Sequence, residues 1–235
     1  MAQSPSLSYP GKDLEAMSFA VNYHQWIMDV FSPYLTGAIA EVGAGKGSIS
    51  NLLLEKNIDQ LVAFEPSQEM YPDLAQSLAP DQRARAVNDF FSPSYGQGIF
   101  DAVVYINVLE HIEDDRTELT HAWQALKPKG YLLIFVPALG WLYSSFDQQI
   151  GHFRRYTKSG LMNRVKNAGF SILQADYFDL VGILPWYINF VLLGRSLGQG
   201  SVSLYDKLVI PPMRVIEQIV PPPIGKNVLL VGQKI

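Results

Sequence analysis

Ala40-Glu41-Val42-Gly43-Ala44-Gly45-Lys46-Gly47-Ser48 is the stretch on which the reading of this chain turns. An apolar run over 38–42 leads into three glycines at alternate positions, and Ser48 then opens a helical pattern over 48–56. A strand that turns through glycines into a helix is the first unit of an open α/β sheet, whose ligands bind beyond the carboxyl ends of the strands. Glycines permit tight backbone angles and let a ligand approach with no Cβ in the way. The spacing departs from the dinucleotide fingerprint, which has two residues between its last glycines. Glu41, two residues before the first glycine, adds a carboxylate. That charge would repel a diphosphate and suits a cationic ligand bearing an ammonium and a sulfonium.

The pattern on either side agrees. A helix over 14–34, carrying aromatics and ending around Ser32 and Pro33, precedes the glycine turn. Strands over 60–65, 84–88, 100–106 and 131–136 follow it, with helices over 68–78 and 114–126 between them. The second of these helices is stopped by Lys127-Pro128-Lys129-Gly130. Alternation of this kind predicts a parallel sheet with right-handed crossovers. Residues 137–156 are irregular and rich in aromatics and charge. A helix over 158–168 and a strand over 170–175 restore regularity, 177–223 form an apolar insertion, and a strand over 227–232 closes the chain. Residues 1–13 read as a mobile leader. The remainder, 14–235, reads as one domain with cover elements at 14–34, 138–157 and 177–223.

Composition narrows the partners. The chain has 235 residues, 48% of them hydrophobic, and a net charge of −4, so it offers no basic field for nucleic acid. With no cysteine there is neither a disulfide framework nor a thiolate metal site, and no metal is expected. The oiliest stretch, 180–194, is interrupted by Pro185 and Asn189 and is short for a membrane span. A cytoplasmic location is the default expectation.

Two more strand ends carry chemistry. Glu65 closes the second strand, 18 residues beyond Gly47, where an acid can accept hydrogen bonds from both hydroxyls of a ribose. Asn88-Asp89-Phe90 follows the third strand and offers a carboxylate for an adenine amine and a ring to cover its face.

Glu41 to Gly47, Glu65, Asp89-Phe90 and Asn107-Val108-Leu109-Glu110-His111-Ile112 together resemble the class I S-adenosylmethionine-dependent methyltransferases, over roughly residues 15–176 and the final strand. The Leu-Glu-His-Ile run is similar to that of the small-molecule branch. The resemblance implies a Rossmann-like, doubly wound α/β sheet of seven strands, mostly parallel, with an antiparallel last strand inserted beside the sixth. It implies S-adenosylmethionine as cofactor and S-adenosylhomocysteine as product. Gly43, Gly45 and Gly47, with Ala44 among them and Glu41 before them, would follow the methionine part. Glu65 would take the ribose, and Asp89 and Phe90, next to Asn88, the adenine. Asn107, Val108 and Leu109 would form the floor near the sulfonium. Pro66 stands where the family has a hydrophobic residue; Ser67 follows it in the same site, and Met70 is a substitute contact.

Methyl transfer from a sulfonium is an in-line displacement that needs an aligned acceptor and exclusion of water. A base helps when the acceptor is a hydroxyl or a protonated amine. His152 and His111 are the candidates, with Tyr156 to orient a ligand. Arg154 and Arg155 are candidates for an acceptor carboxylate or phosphate, and one of them for pairing with Asp147 instead. Tyr23, Trp26 and Trp186 are candidates for the acceptor's walls, under a cover formed by the apolar tail. The expected reaction is transfer to O or N of a small, apolar or amphiphilic metabolite of natural-product type, by a monomer or homodimer. The alternatives are a lipid-linked sugar or isoprenoid met through peripheral membrane contact, an NAD-dependent oxidoreductase, and a non-catalytic cofactor-binding subunit.

Overall fold

Seven strands make one sheet in the computed structural model, which describes residues 20–195 and 199–235. They are β1 (Gly37–Val42), β2 (Ile58–Phe64), β3 (Ala84–Val87), β4 (Phe100–Ile106), β5 (Leu126–Pro137), β6 (Phe170–Phe178) and β7 (Asn227–Lys234). Their order is β3-β2-β1-β4-β5-β7-β6. β1 to β5 run parallel, and β7 is antiparallel to both β5 and β6. This is the sheet that the sequence predicts, including the inserted last strand. The continuous apolar runs are explained by burial on both faces. Along β1, for example, Ile39 packs into the core on one side while Ala40 and Val42 pack into the core on the other.

The helices are α1 (Val21–Phe31), α2 (Ser48–Leu54), α3 (Tyr71–Leu78), α4 (Asp115–Ala125), α5 (Ser145–Gln149), α6 (Lys158–Asn167), α7 (Ile183–Trp186), α8 (Gln199–Leu208) and α9 (Ile210–Ile219). A π-helical turn, Tyr187–Leu192, continues α7. The expected leader and the first residues of the expected 14–34 helix lie outside the described residues. The sequence also misplaces several boundaries. Lys127 to Gly130, expected as a stop between helix and strand, already belong to β5, and the irregularity is absorbed as a register shift against β4. β6 extends to Phe178 because β7 continues to pair with it as far as Asn227.

Register positions the site. Val42 is level with Phe64 on one side and with Tyr105 on the other, and Phe64 is level with Val87. The next residues out, Gly43, Glu65 and Asn88, therefore emerge at one edge, with Asn107 just beyond β4. The strand order reverses between β1 and β4, and that reversal opens the crevice in which an α/β sheet holds its ligand.

The apolar insertion packs with one side only. Trp186 and Phe190 stack at 4.4 Å between ring centres, and Phe146 of α5 meets Phe190 at 4.9 Å. Leu184, Leu192 and Leu193 stay exposed. No helix among the described residues is long and apolar enough to cross a membrane.

α1 begins without a local side-chain cap. Its first amides are met instead by a residue of α8: Asp206 accepts from Asn22 N at 3.0 Å and from Tyr23 N at 2.9 Å. A buried carboxylate on the positive end of a helix is favourable both as a cap and toward the helix dipole. Replacing it (Asp206→Ala) is expected to lower stability by about 1–2 kcal/mol, the usual loss for a helix cap. Denaturant unfolding measures this, and amide exchange at Asn22 and Tyr23 should accelerate ahead of exchange in the sheet.

Candidate active site

A cavity of about 890 Å³ opens at the carboxyl edge of β1, β2 and β4, within the range of small-molecule sites. One end is built from the glycine turn. Gly43, Gly45 and Gly47 all take positive φ, at 69°, 56° and 91°. At Gly43 the requirement is double, because a Cβ would also lie 2.6 Å from Val108 Cγ2. Asn107 is held at φ 52° while its amide donates to Phe135 O at 2.8 Å, so the backbone turns sharply where the β4 edge faces the cavity.

Two acids line this end. Glu65 is buried, and its two carboxylate oxygens accept from Gly45 N and Ser67 N, each at 2.8 Å. Burial raises its pKa, and the two backbone donors pull it back. Their grip fixes the carboxylate's orientation while leaving lone pairs for further donors. Glu41 is buried behind the turn and accepts from Ser50 Oγ. Burial pushes its carboxyl up to about 8, against the opposing hydrogen bond from Ser50 and with help from the nearby charge of Glu65. Pro66, Ser67 and Met70 also line the cavity, and so does Phe90, whose ring is 44% exposed and free to cover a flat ligand.

The other end gathers His24, Glu110, His111, Phe146, His152, Arg155 and Trp186, with Tyr23 and Asn227. The arrangement depends on Asp147, which is fully buried at the start of α5. It accepts from Ser144 N and Oγ at 2.9 and 3.0 Å and from Arg155 Nε at 2.9 Å, and it lies 2.9 Å from His152 Nδ1. Burial would raise its pKa, but the bond to His152 and the Arg155 guanidinium outweigh it and hold the carboxyl below its usual range. Arg155 is in turn stacked 4.6 Å from the Trp186 ring. The imidazoles of His111 and His152 meet edge to face at 4.5 Å. Burial and the neighbouring His152 push His111 down to about 3, so its ring is neutral; backbone hydrogen bonds to Gly151 and Ile150 pull the other way.

Several expected site residues stand elsewhere. Trp26 is a core side chain, 2% exposed and 3.8 Å from the Phe178 ring, and does not line the cavity. Tyr156 and Arg154 belong to a separate cluster on Asp115. The Tyr156 hydroxyl lies 2.9 Å from Asp115 Oδ2 and 3.1 Å from Leu109 O, while Arg154 pairs with Asp115 at 2.9 Å and donates to Ile112 O and Glu113 O. Both tie the 137–156 segment to α4 and are turned from the cavity. Asn88 and Asp89 are exposed beside Phe90 and are not in the lining: Asn88 Nδ2 donates to Glu65 O, and Asp89 accepts from Phe90 N and from Tyr95 OH. Gly47 and Leu109 are also outside the wall, Leu109 being core.

The sequence reading missed His24, Phe146 and Asn227 in the wall and assigned nothing to Glu110. Glu110 carries a signal of its own, since an acid beside a histidine just past a strand end is a chemistry-bearing pair. The other three carry none, because they come from distant elements.

The pattern of the methyltransferase-domain family matches residues 25–175. No curated protein matches the chain in sequence. Among solved structures, an S-adenosylmethionine-dependent methyltransferase from Mesorhizobium loti superposes with a TM-score of 0.58 at 15% identity, covering 88% of this chain and 95% of that one. Phosphoethanolamine N-methyltransferase 2 of Haemonchus contortus, in complex with phosphomonomethylethanolamine and S-adenosylhomocysteine, gives 0.62 at 15% identity and covers 97% of this chain and 58% of that one. The [4+2]-cyclase SpnF gives 0.62 at 15% identity, with 98% and 97% covered. These likenesses carry the fold, and the family pattern spans the glycine turn, Glu65, His111 and His152. The chain belongs to the methyltransferase-domain family, on the class I S-adenosylmethionine-dependent fold.

Proposed function

We propose that the protein transfers the methyl group of S-adenosylmethionine to an oxygen or nitrogen of a small, apolar or amphiphilic molecule. The observation that carries this is one cavity with two ends of different chemistry. An oriented, buried carboxylate beside a glycine turn lies at one end, and a histidine pair among aromatic rings lies at the other. When bound, S-adenosylmethionine supplies a methyl group on a sulfonium, whose C–S electron pair leaves with sulfur.

The chain's own residues do the rest. The Glu65 carboxylate, held by Gly45 N and Ser67 N, is aimed to accept from a vicinal diol such as a ribose. The bare backbone at Gly43 lets a ligand lie against the turn, and Phe90 offers a ring face for a base. Glu41 is a carboxyl that ionises readily once a cation approaches, which favours an ammonium-bearing ligand over a diphosphate. At the far end, Tyr23, Phe146 and Trp186 provide apolar walls, and His152, oriented by Asp147, is the polar group on the acceptor side.

Calorimetric titration with S-adenosylmethionine, S-adenosylhomocysteine and NADH tests the cofactor, and preferential binding of NADH would overturn the proposal. Formation of S-adenosylhomocysteine on incubation with a panel of apolar alcohols, phenols and amines tests the acceptor class. Glu65→Ala should weaken binding of S-adenosylhomocysteine by roughly tenfold or more, as for loss of hydrogen bonds to a charged group. Unchanged affinity would remove Glu65 from the site. His152→Ala should lower turnover far more than cofactor affinity, and an equal loss in both would make the histidine a structural element.

Glu41 also gives a stability signature. Its carboxyl titrates near 8 in the fold against 4.5 ordinarily, so the folded chain binds the extra proton between those values. The stabilisation is complete below pH 4.5 and is lost as the pH rises to about 8. Glu41→Gln should flatten that part of the stability profile, read as the difference between the two proteins' denaturant midpoints across this range. Parallel profiles would show that Glu41 ionises normally.

A further inference from the structure

Glu110 has no place in the scheme above, yet it is fully buried in the cavity wall. Neither of its carboxylate oxygens accepts a hydrogen bond from another described residue. A carboxylate taken out of water without hydrogen bonds is costly, and buried charges are ordinarily paired or bound to metal. The nearest nitrogen is His152 Nε2, 3.7 Å from Glu110 Oε1. That separation is too long for a hydrogen bond, and it fits within the span of two bonds of about 2.0–2.2 Å to one shared ion.

His111 completes the set. One ligand atom from each of Glu110, His111 and His152 lies within 4.8 Å of the others. The far nitrogen of His152 is also engaged as a metal-bound histidine requires: Nδ1 lies 2.9 Å from Asp147 Oδ1. That is the carboxylate–histidine pairing that fixes a metal-binding ring. Asp147 is itself locked by Ser144 and Arg155. The neighbouring cation, Arg155, is spent on Asp147 and on Ala138 O, at 2.9 and 3.3 Å.

We propose that Glu110, His111 and His152 hold a divalent transition-metal ion at the acceptor end of the cavity, with Asp147 as the outer carboxylate that orients His152. Two imidazoles and one carboxylate suit zinc, iron, cobalt or manganese better than magnesium or calcium, which favour oxygen ligands. Three protein ligands leave coordination positions open, as in catalytic rather than structural sites. All three residues line the same cavity as Gly43 and Asn107, so an acceptor bound at the ion would share that cavity with the methyl donor. An acceptor bearing an oxygen donor would be tied there, and coordination favours its anionic, nucleophilic form. This role rests on the methyltransferase reading and narrows it to O-methylation; the ion-binding site stands on its own geometry.

Titration of the full chain, freed of metal with a chelator, with Co2+ alone is the test. Wild-type protein should take up one equivalent, develop visible d–d absorption and melt at higher temperature, while Mg2+ produces no comparable shift. Glu110→Gln, nearly isosteric, should abolish the absorption. Asp147→Asn should weaken Co2+ binding by roughly 10–100-fold, the usual effect of losing an outer-shell partner. Binding of S-adenosylhomocysteine, measured on the same samples, reports whether each variant is folded. A wild type that takes up neither Co2+ nor Zn2+, or a folded Glu110→Gln that binds Co2+ as tightly as wild type, overturns the metal site. Protein that holds Co2+ but binds no S-adenosylmethionine or S-adenosylhomocysteine would instead overturn the cofactor reading and leave the metal site standing.

Discussion

The site depends on the level register of three parallel strands. Because Val42, Phe64 and Tyr105 sit side by side, the chain leaves β1, β2 and β4 within one narrow band. The glycine turn, Glu65 and Asn107 are thereby delivered to a common crevice without any of them seeking the others. A two-residue slip of β2 would keep its buried face yet move Glu65 about 7 Å along the strand, out of reach of Gly45. The hydrogen bond from Gly45 N to Glu65 makes that register self-consistent: it ties the tip of β2 to the turn after β1 and orients the carboxylate in the same step.

The histidine end of the cavity is organised by a different means. It is assembled mainly from the 137–156 segment, the insertion and the turn after β4, with Tyr23 of α1 and Asn227 of β7 beside them. Asp147 takes the place that register has at the other end. One buried carboxylate caps the start of α5, anchors Arg155 and orients His152, so three points along the 137–156 segment share one anion. Arg155 then extends the order to Trp186 in the insertion through a stacked contact. A buried carboxylate is expensive unless its lone pairs are used, and the use of nearly all of them makes this arrangement specific. Asp115 does the same work away from the cavity, binding Tyr156, Arg154 and Arg164 and so closing the back of the segment.

Much of the cofactor end was legible in the sequence. The glycine spacing, the acids at the strand ends and the continuous apolar runs are local patterns, and the backbone and the sheet periodicity translate them directly into place. Strand ends were less legible. β5 starts ahead of its apolar pattern because Leu126 already pairs with β4, and β6 outruns its pattern because pairing with β7, distant in the chain, continues to Phe178. Asp89 and Trp26, both expected at the site, are not in the cavity wall, because local spacing supplies suitable chemistry while packing sets which way each side chain points.

Sequence alone determined the sheet, its order of elements and the position of the glycine turn and of Glu65, since strand alternation and positive-φ glycines are properties of neighbouring residues. Tertiary structure alone decided which polar residues gather around His111 and His152. Arg154 and Arg155 are adjacent and chemically identical, yet Arg154 reaches Asp115 away from the cavity while Arg155 lines the cavity and reaches the buried Asp147, because successive side chains of an extended segment point to opposite sides. Glu110 and His152 lie far apart in the chain and come within 3.7 Å only when the 137–156 segment folds back over the turn after β4. Contacts of that kind are set by the packing of separate elements, and no local spacing encodes them.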